Sequence, residues 1–506
     1  MPVQQYQLQQ PGRPLVTPGT PPSTTIPPWT PPVPPAPSQT NIPAPFPFAT
    51  PGAPGALPAV PGFVGVAPGM ASAFSPTVTT FRGATLEFHP TLRLGEEYSD
   101  NFFQTTNHSE DNFRTTFGPG FTLLINGART FGLVSTSLNL IHDTAPDTGD
   151  EVKFLPNLNA ALRYALTPRL ALTLTETYIR DDAPAAADPF GIRRGRETFS
   201  TNTLGVAVDW LLDRIAAQAY YRNVLFFNEG GNGRAVTNNT TGGSTTTSES
   251  DSITHIIGIN ASTRIATDYL IRLGYEFSRS DNIGNNSSTN TGSGTADTTS
   301  HTGFASMSRQ IGVYGNAGLS TSYSYQTSDN TKIWNGSLFG AYGVPNGLSI
   351  SAAVGYSLLN SDTQDNDGTI SANATVAYRF ARAVISVGVL QDFEQTAQKG
   401  ENFGTVKTRS YFGSFLYQLT PFISATLNAT YSENEPTGTG NSSNGGTQTA
   451  LTYGARVNWQ VLRWLTAALE FTHTKQTGQN VFNSSLNSGS SSFAENRAML
   501  NLFATF

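Results

Sequence analysis

The chain has 506 residues, with 48 Gly, 32 Pro, no Cys and a formal net charge of −6. Charged residues make up 13% of it, against about 25% in soluble domains, and five Lys are too few for the Lys/Glu-rich helix faces of a soluble α/β enzyme. Zero Cys excludes disulfide scaffolds and thiolate metal sites, the absence of a basic run excludes a nucleic-acid binder, and no stretch reaches the ~18 apolar residues of a membrane-crossing helix.

Residues 1–76 hold 22 of the 32 prolines and one charged residue, Arg13. Repeated Pro pairs remove backbone donors and fix φ, so neither helix nor sheet propagates. This segment is predicted to be a disordered or polyproline-II arm. From about residue 77 to the end, ten-residue segments alternate apolar and polar side chains. Ile423, Ala425, Leu427, Ala429 and Tyr431 share one face, and Ser424, Thr426, Asn428 and Thr430 the other. Period two is the strand signal. Twenty strands are predicted, the first at 84–98 and the last at 493–506; losing the pair around 309–313 would leave eighteen.

The connections between these strands are of two kinds. Short ones are flanked by aromatics: Tyr164, Trp210, Tyr342, Tyr378, Tyr417, Trp459 and Trp464. Long ones, such as 228–249, 281–300, 433–446 and 477–491, are rich in Asn, Ser, Thr and Gly. Tight turns at one end and long loops at the other predict an all-β fold, a closed antiparallel transmembrane β-barrel over 77–506, behind a periplasmic arm over 1–76. The seven aromatics are expected to form a girdle at the periplasmic interface. An even strand number puts both ends of the barrel on the periplasmic side of a bacterial outer membrane.

The segment from Leu92 to Phe103, with Tyr98, Asp100 and Asn101, followed by Gly118, Pro119 and Gly120, resembles the start of the bacterial outer-membrane family called β-barrel porin 2. The terminal Phe506, after Leu502, Phe503 and Ala504, resembles the signal read by the outer-membrane barrel assembly machinery. The resemblance covers about 77–506 and implies a barrel in contact with the lipid bilayer and lipopolysaccharide.

Catalytic motifs are absent: the six His are scattered, and no Gly-x-Ser-x-Gly or His-Glu-x-x-His occurs. His142 with Asp143 and Asp251 with His255 are adjacent to loops, where such residues are ordinary. No enzyme activity, metal or cofactor is expected. The segment from Asp181 to Arg196 is expected to be a surface loop, with an inward-folding constriction as the alternative. Charges on a lipid face cost roughly 2–4 kcal/mol at mid-membrane, so strand-borne charges should point inward. By parity Arg93, Arg114, Arg163, Arg222, Arg272, Arg379, Arg456 and Arg497 do, with Glu87, Glu276 and Glu470. These eleven are expected to line a pore with an excess of five positive charges and a mild anion preference. Glu176 and His255 break the rule. The function expected is a porin-like channel passing small hydrophilic solutes by diffusion. The alternative is a structural or assembly barrel that supports exopolysaccharide export or anchors an extracellular partner. Self-association, or a periplasmic partner of the arm, is compatible with either.

Overall fold

The computed structural model describes residues 77–81, 84–104, 109–144, 151–182, 198–228, 251–266, 268–283, 297–327, 330–344, 347–362, 366–398, 401–436, 447–478 and 492–506. The arm predicted over 1–76 lies outside the described residues. Twenty-one strands follow in order. They are β1 (Thr77–Phe81), β2 (Ala84–Ser99), β3 (Asn112–Gly127), β4 (Thr130–Asp143), β5 (Glu151–Thr167), β6 (Leu170–Asp181) and β7 (Phe199–Leu211). Next come β8 (Ile215–Asn228), β9 (Ser252–Ala266), β10 (Tyr269–Asn282), β11 (Thr298–Ile311), β12 (Gly315–Gln326), β13 (Thr331–Gly343) and β14 (Leu348–Asn360). The last are β15 (Asp367–Arg379), β16 (Ala383–Gln398), β17 (Glu401–Thr420), β18 (Ile423–Pro436), β19 (Gln448–Leu462), β20 (Leu465–Thr477) and β21 (Phe493–Thr505). Each strand from β2 to β21 pairs antiparallel with its sequence neighbours, and β21 pairs with β2. The sheet is therefore closed, a twenty-strand barrel, and the described residues contain no helix. Closure satisfies every edge amide, which hydrocarbon cannot do. The hairpin through 309–313 is formed, by Ile311 and Gly315.

The ladder register sets the width. Followed once around the barrel, a residue of β2 returns about 24 positions farther along the strand. With strands ~4.8 Å apart and ~3.3 Å per residue, twenty strands at that stagger tilt by about 40° and enclose a backbone radius of about 20 Å.

The short turns lie at one end and include 128–129, 168–169, 421–422 and 463–464. The other end carries the long connections, with two exceptions: 327–330 and 399–400 are short. Strands β2 to β21 run 12 to 20 residues, where about 9–11 tilted residues cross a bilayer. Asp281, Thr298 and Glu433, all expected in loops, belong to strands.

One strand was not predicted. β1 pairs with the lower part of β2, Thr77 opposite Phe88, whereas β21 pairs with its upper part, Thr91 to Ser99. Both sit on the same edge of β2, end to end. Between them lies Pro90, whose carbonyl accepts the Phe506 amide at 2.9 Å. A strand residue's N–H and C=O point the same way, so the donor that Pro90 lacks would face the gap between β21 and β1. Pro119 follows the same logic, because the β3–β4 ladder skips from Phe117 to Gly120.

At the opposite end of the seam the Tyr98–Asn101 segment acts as a clasp. Asp100 Oδ1 and Oδ2 accept from the backbone and side-chain amides of Asn496 at 2.7 and 2.6 Å. Asn101 donates to the Ala494 carbonyl, and Ser99 and Gln104 donate to the two oxygens of Glu495. The motif thus ties the first barrel strand to the last. Charged hydrogen bonds are each worth about 1.5–3 kcal/mol. Asp100→Ala is therefore expected to lower the temperature at which the barrel loses its compact mobility on unheated gels, and an unchanged temperature would refute the clasp.

Candidate functional site

Contacts that skip a strand identify the concave face. Arg114 on β3 reaches Asp182 just past β6, and Ser357 on β14 reaches Asp392 on β16. Side chains of non-adjacent strands converge in this way only inside a barrel. Propagated through the ladders, the register puts Arg93, Arg114, Arg163, Arg222, Arg272, Arg379, Arg456, Arg497, Glu87, Glu276 and Glu470 on this same face.

Sequence reasoning missed many of their partners. Lys153 and Arg264 share the face, as do Glu97, Asp143, Asp181, Asp209, Asp367, Asp392 and Glu495; Asp182 joins them through Arg114. Among the described side chains that makes ten basic groups against eleven acidic ones, near balance where an excess of five positive charges was expected. Asp143, Asp181 and Asp367 are strand-end residues that fell beyond the predicted spans. Near the long connections polar residues occupy both faces, so alternation fades there and strand ends are read short.

Four of these charges form a closed cluster. Arg114 Nε and one of its terminal nitrogens donate to the two oxygens of Asp143 at 2.7 and 2.8 Å, and its other terminal nitrogen reaches Asp182 at 2.8 Å. Lys153 Nζ lies 3.6 Å from Asp143 and 3.7 Å from Asp182. Asn112 donates to Asp143, and the Phe102 ring lies 5.0 Å from the guanidinium carbon. Two cations and two anions cancel within a buried site. Of the segment expected to be a surface loop, Asp181 ends β6 and Asp182, 1% exposed, is held on the concave face by Arg114. Residues 183–197, including Arg193, Arg194 and Arg196, lie outside the described residues.

Elsewhere the concave wall is belted by polar chains. Arg163 pairs with Asp209 at 3.2 Å, Asp209 accepts from Gln218, and Gln218 accepts from Asn260. Arg456 lies 3.7 Å from Glu470, and Arg93 donates to Asn501. Tyr220 donates to Glu276. Asp392 accepts from Ser357 and Ser371. The face is not uniformly polar, since Ile333, Leu359 and Phe393 form a buried cluster near the long connections.

Aromatic side chains on this face lie against the wall. A Cβ on Gly258 would overlap the Tyr220 ring, one on Gly274 the Phe304 ring, and one on Gly388 the Phe412 ring. Only glycine accepts a ring that close. The rings fold flat over it instead of standing into the bore, and the sequence shows these glycines only as interruptions of strands. Strand-to-strand contacts join ladder neighbours, with β14 also meeting β16.

The convex face carries the exposed apolar residues. Tyr164, Trp210, Tyr342, Tyr378, Tyr417 and Trp459 all lie on it near the short turns, and Trp464, in a turn, stacks on Phe506 at 5.7 Å. A second aromatic band, near the long connections, was not foreseen. It contains Tyr221 with His255, Tyr275 with His301, and Tyr453 with His473. His255 therefore sits on the apolar face because Tyr221 and Asn223 hydrogen-bond its ring. Glu176 does so with the amide of Asn202 at 2.7 Å. Further convex charges, including Arg180, Arg279, Lys332 and Lys475, lie toward the strand ends, while Arg409 lies mid-strand in β17. His142 and Asp143 are consecutive in β4 and point to opposite faces, so they cannot act as a pair. The described residues contain no cluster of three metal-ligating side chains.

No protein-family model matches the chain, and no characterised protein matches it in sequence. Among solved structures it is similar to the siderophore receptor PirA of Pseudomonas aeruginosa, with 10% identity and a TM-score of 0.47 over 83% of this chain and 80% of that one. It is also similar to OpdQ of the same organism, with 13% identity and a TM-score of 0.40 over 83% and 99%. OccAB4 of Acinetobacter baumannii gives 12% identity and 0.39 over 83% and 98%. Similarity at this level says nothing about what this chain carries.

Proposed function

We propose that residues 77–506 form an outer-membrane channel passing small hydrophilic solutes by diffusion. The reading is carried by the bore: a backbone radius of about 20 Å, walled by polar chains and flattened rings. Barrels of 16–18 strands already leave an aqueous channel. In this reading the exposed convex residues face lipid, the two aromatic bands mark its interfaces, the long connections face outward, and the short turns and both barrel ends face the periplasm. The resemblance to β-barrel porin 2 belongs to the same reading, and the Tyr98–Asn101 motif that carries it is the seam clasp. Phe506, hydrogen-bonded to Pro90 and stacked on Trp464, is proposed to be the assembly signal.

Planar-bilayer recording of the purified chain tests the proposal. Stepwise conductance that rises in proportion to bulk salt is expected of an aqueous bore. Insertion without conductance would refute it and favour a structural or assembly barrel.

A further inference from the structure

On the convex face, Gly303 of β11 sits directly opposite Tyr275 of β10 on one side and Tyr323 of β12 on the other. Gly258, Gly274 and Gly388 on the inner face lie under neighbouring rings, but a Cβ placed on Gly303 would meet nothing within 4 Å. Two tyrosines flank it without covering it, and both are nearly half exposed. The result is a slot of about 480 Å³ lined by Tyr275, His301, Gly303, Tyr323, Tyr325 and Lys332.

The slot has a chemical polarity along the barrel axis. Its floor is the bare backbone of Gly303 between two rings. Toward the long connections Lys332 lies 6.0 Å from the Tyr325 ring, and His301 stacks between Tyr325 and Tyr275, accepting or donating at 2.7 Å to the Tyr275 hydroxyl. The lining contains one cation and no acid. The nearest convex carboxylate beyond it on β10, Asp281, is engaged by Arg279 at 2.8 Å. An apolar slot closed at its outer end by a cation and stacked rings matches a lipid whose anionic head stays at the interface while a chain descends between the tyrosines. Ring faces beside the cation also suit the apolar face of a sugar.

We infer that this slot is a specific site for a phosphorylated, acylated glycolipid of the outer leaflet. Its phosphate sits on Lys332, its sugar lies against Tyr325 and His301, and one acyl chain lies over Gly303. The site goes beyond the channel reading, because occupancy of the convex face is independent of conductance.

Lipid retention by the purified barrel, measured by native mass spectrometry after detergent exchange, tests it. The probes are diphosphoryl lipid A, phosphatidylglycerol and phosphatidylethanolamine. The wild-type barrel is expected to retain one lipid A in preference to both phospholipids. Gly303→Leu fills the slot where space is open, and Lys332→Ala removes the cation; each is expected to lower retention about tenfold, the effect of losing one charged contact. Lys332→Arg should retain the lipid, and so should Lys475→Ala, which removes a convex lysine away from the slot. All variants must keep compact mobility on unheated gels. Equal retention by wild type, Gly303→Leu and Lys332→Ala would overturn the site, and phosphatidylglycerol held as well as lipid A would overturn the glycolipid assignment.

Discussion

Replacing Arg114 by Met is expected to cost about 3–5 kcal/mol of barrel stability, the penalty for stripping one partner from a buried ion cluster. Asp143 is fully buried and Asp182 is 1% exposed, and both receive charged hydrogen bonds from one guanidinium. Without that fork, the single ammonium of Lys153, at 3.6 and 3.7 Å, faces both carboxylates. Arg114→Lys should recover only part of the loss, because an ammonium cannot serve two carboxylates bidentately. The contrast is Arg409→Met. Arg409 lies on the convex face, 3.7 Å from Glu433 with both side chains partly exposed, and such pairs are worth about 0–1 kcal/mol. Urea titration read by heat-modifiable gel mobility measures both variants. Equal shifts in midpoint would show that the cluster is not the buried anchor its geometry describes. A further consequence follows for the connection between β6 and β7. Because Asp182 is held on the concave face, Arg114→Met should also speed proteolysis between 183 and 197 in the folded protein.

Much of this barrel was legible because its convex and concave faces keep a strict apolar–polar alternation through the middle of the strands. The parity of Arg93, Arg456 and Glu470 could be read directly, since each lies mid-strand between apolar outward neighbours. The same rule failed where the environment on the two faces converges. Asp143 and Asp367 lie at strand ends near the long connections, where an outward residue meets water as readily as an inward one. β1 was invisible for a different reason. Its five residues follow the Pro-rich segment, and nothing in Thr77–Phe81 reveals that β21 stops short and leaves an edge of β2 to be covered. The aromatic slot was hidden because it needs three strands in register: the spacing of Tyr275, Gly303 and Tyr323 along the chain carries no hint that they align. His255 was read as an exception since its partners, Tyr221 and Asn223, lie on another strand.

The channel is expected to be nearly unselective between small cations and anions. This reverses the anion preference that the parity count of eight Arg against three Glu suggests. Among the described side chains the wall carries ten basic and eleven acidic groups by register, and eight of them cancel at close range. The Arg114–Asp143–Lys153–Asp182 cluster is neutral, Arg163 faces Asp209, and Arg456 faces Glu470. Paired charges a few ångströms apart leave little field at the centre of a bore about 20 Å in radius, when the Debye length at physiological salt is about 8 Å. A tenfold salt gradient across a planar bilayer should therefore give a reversal potential near zero at high salt and only a small one at low salt. Asp209→Asn exposes the charge of Arg163, which is already half exposed, and should shift the low-salt potential toward anions. Arg163→Gln should shift it the other way by a similar amount, and both shifts should fade as salt rises. A strongly selective wild-type channel, or variants that shift in the same direction, would mean that the charges governing permeation do not sit on this wall.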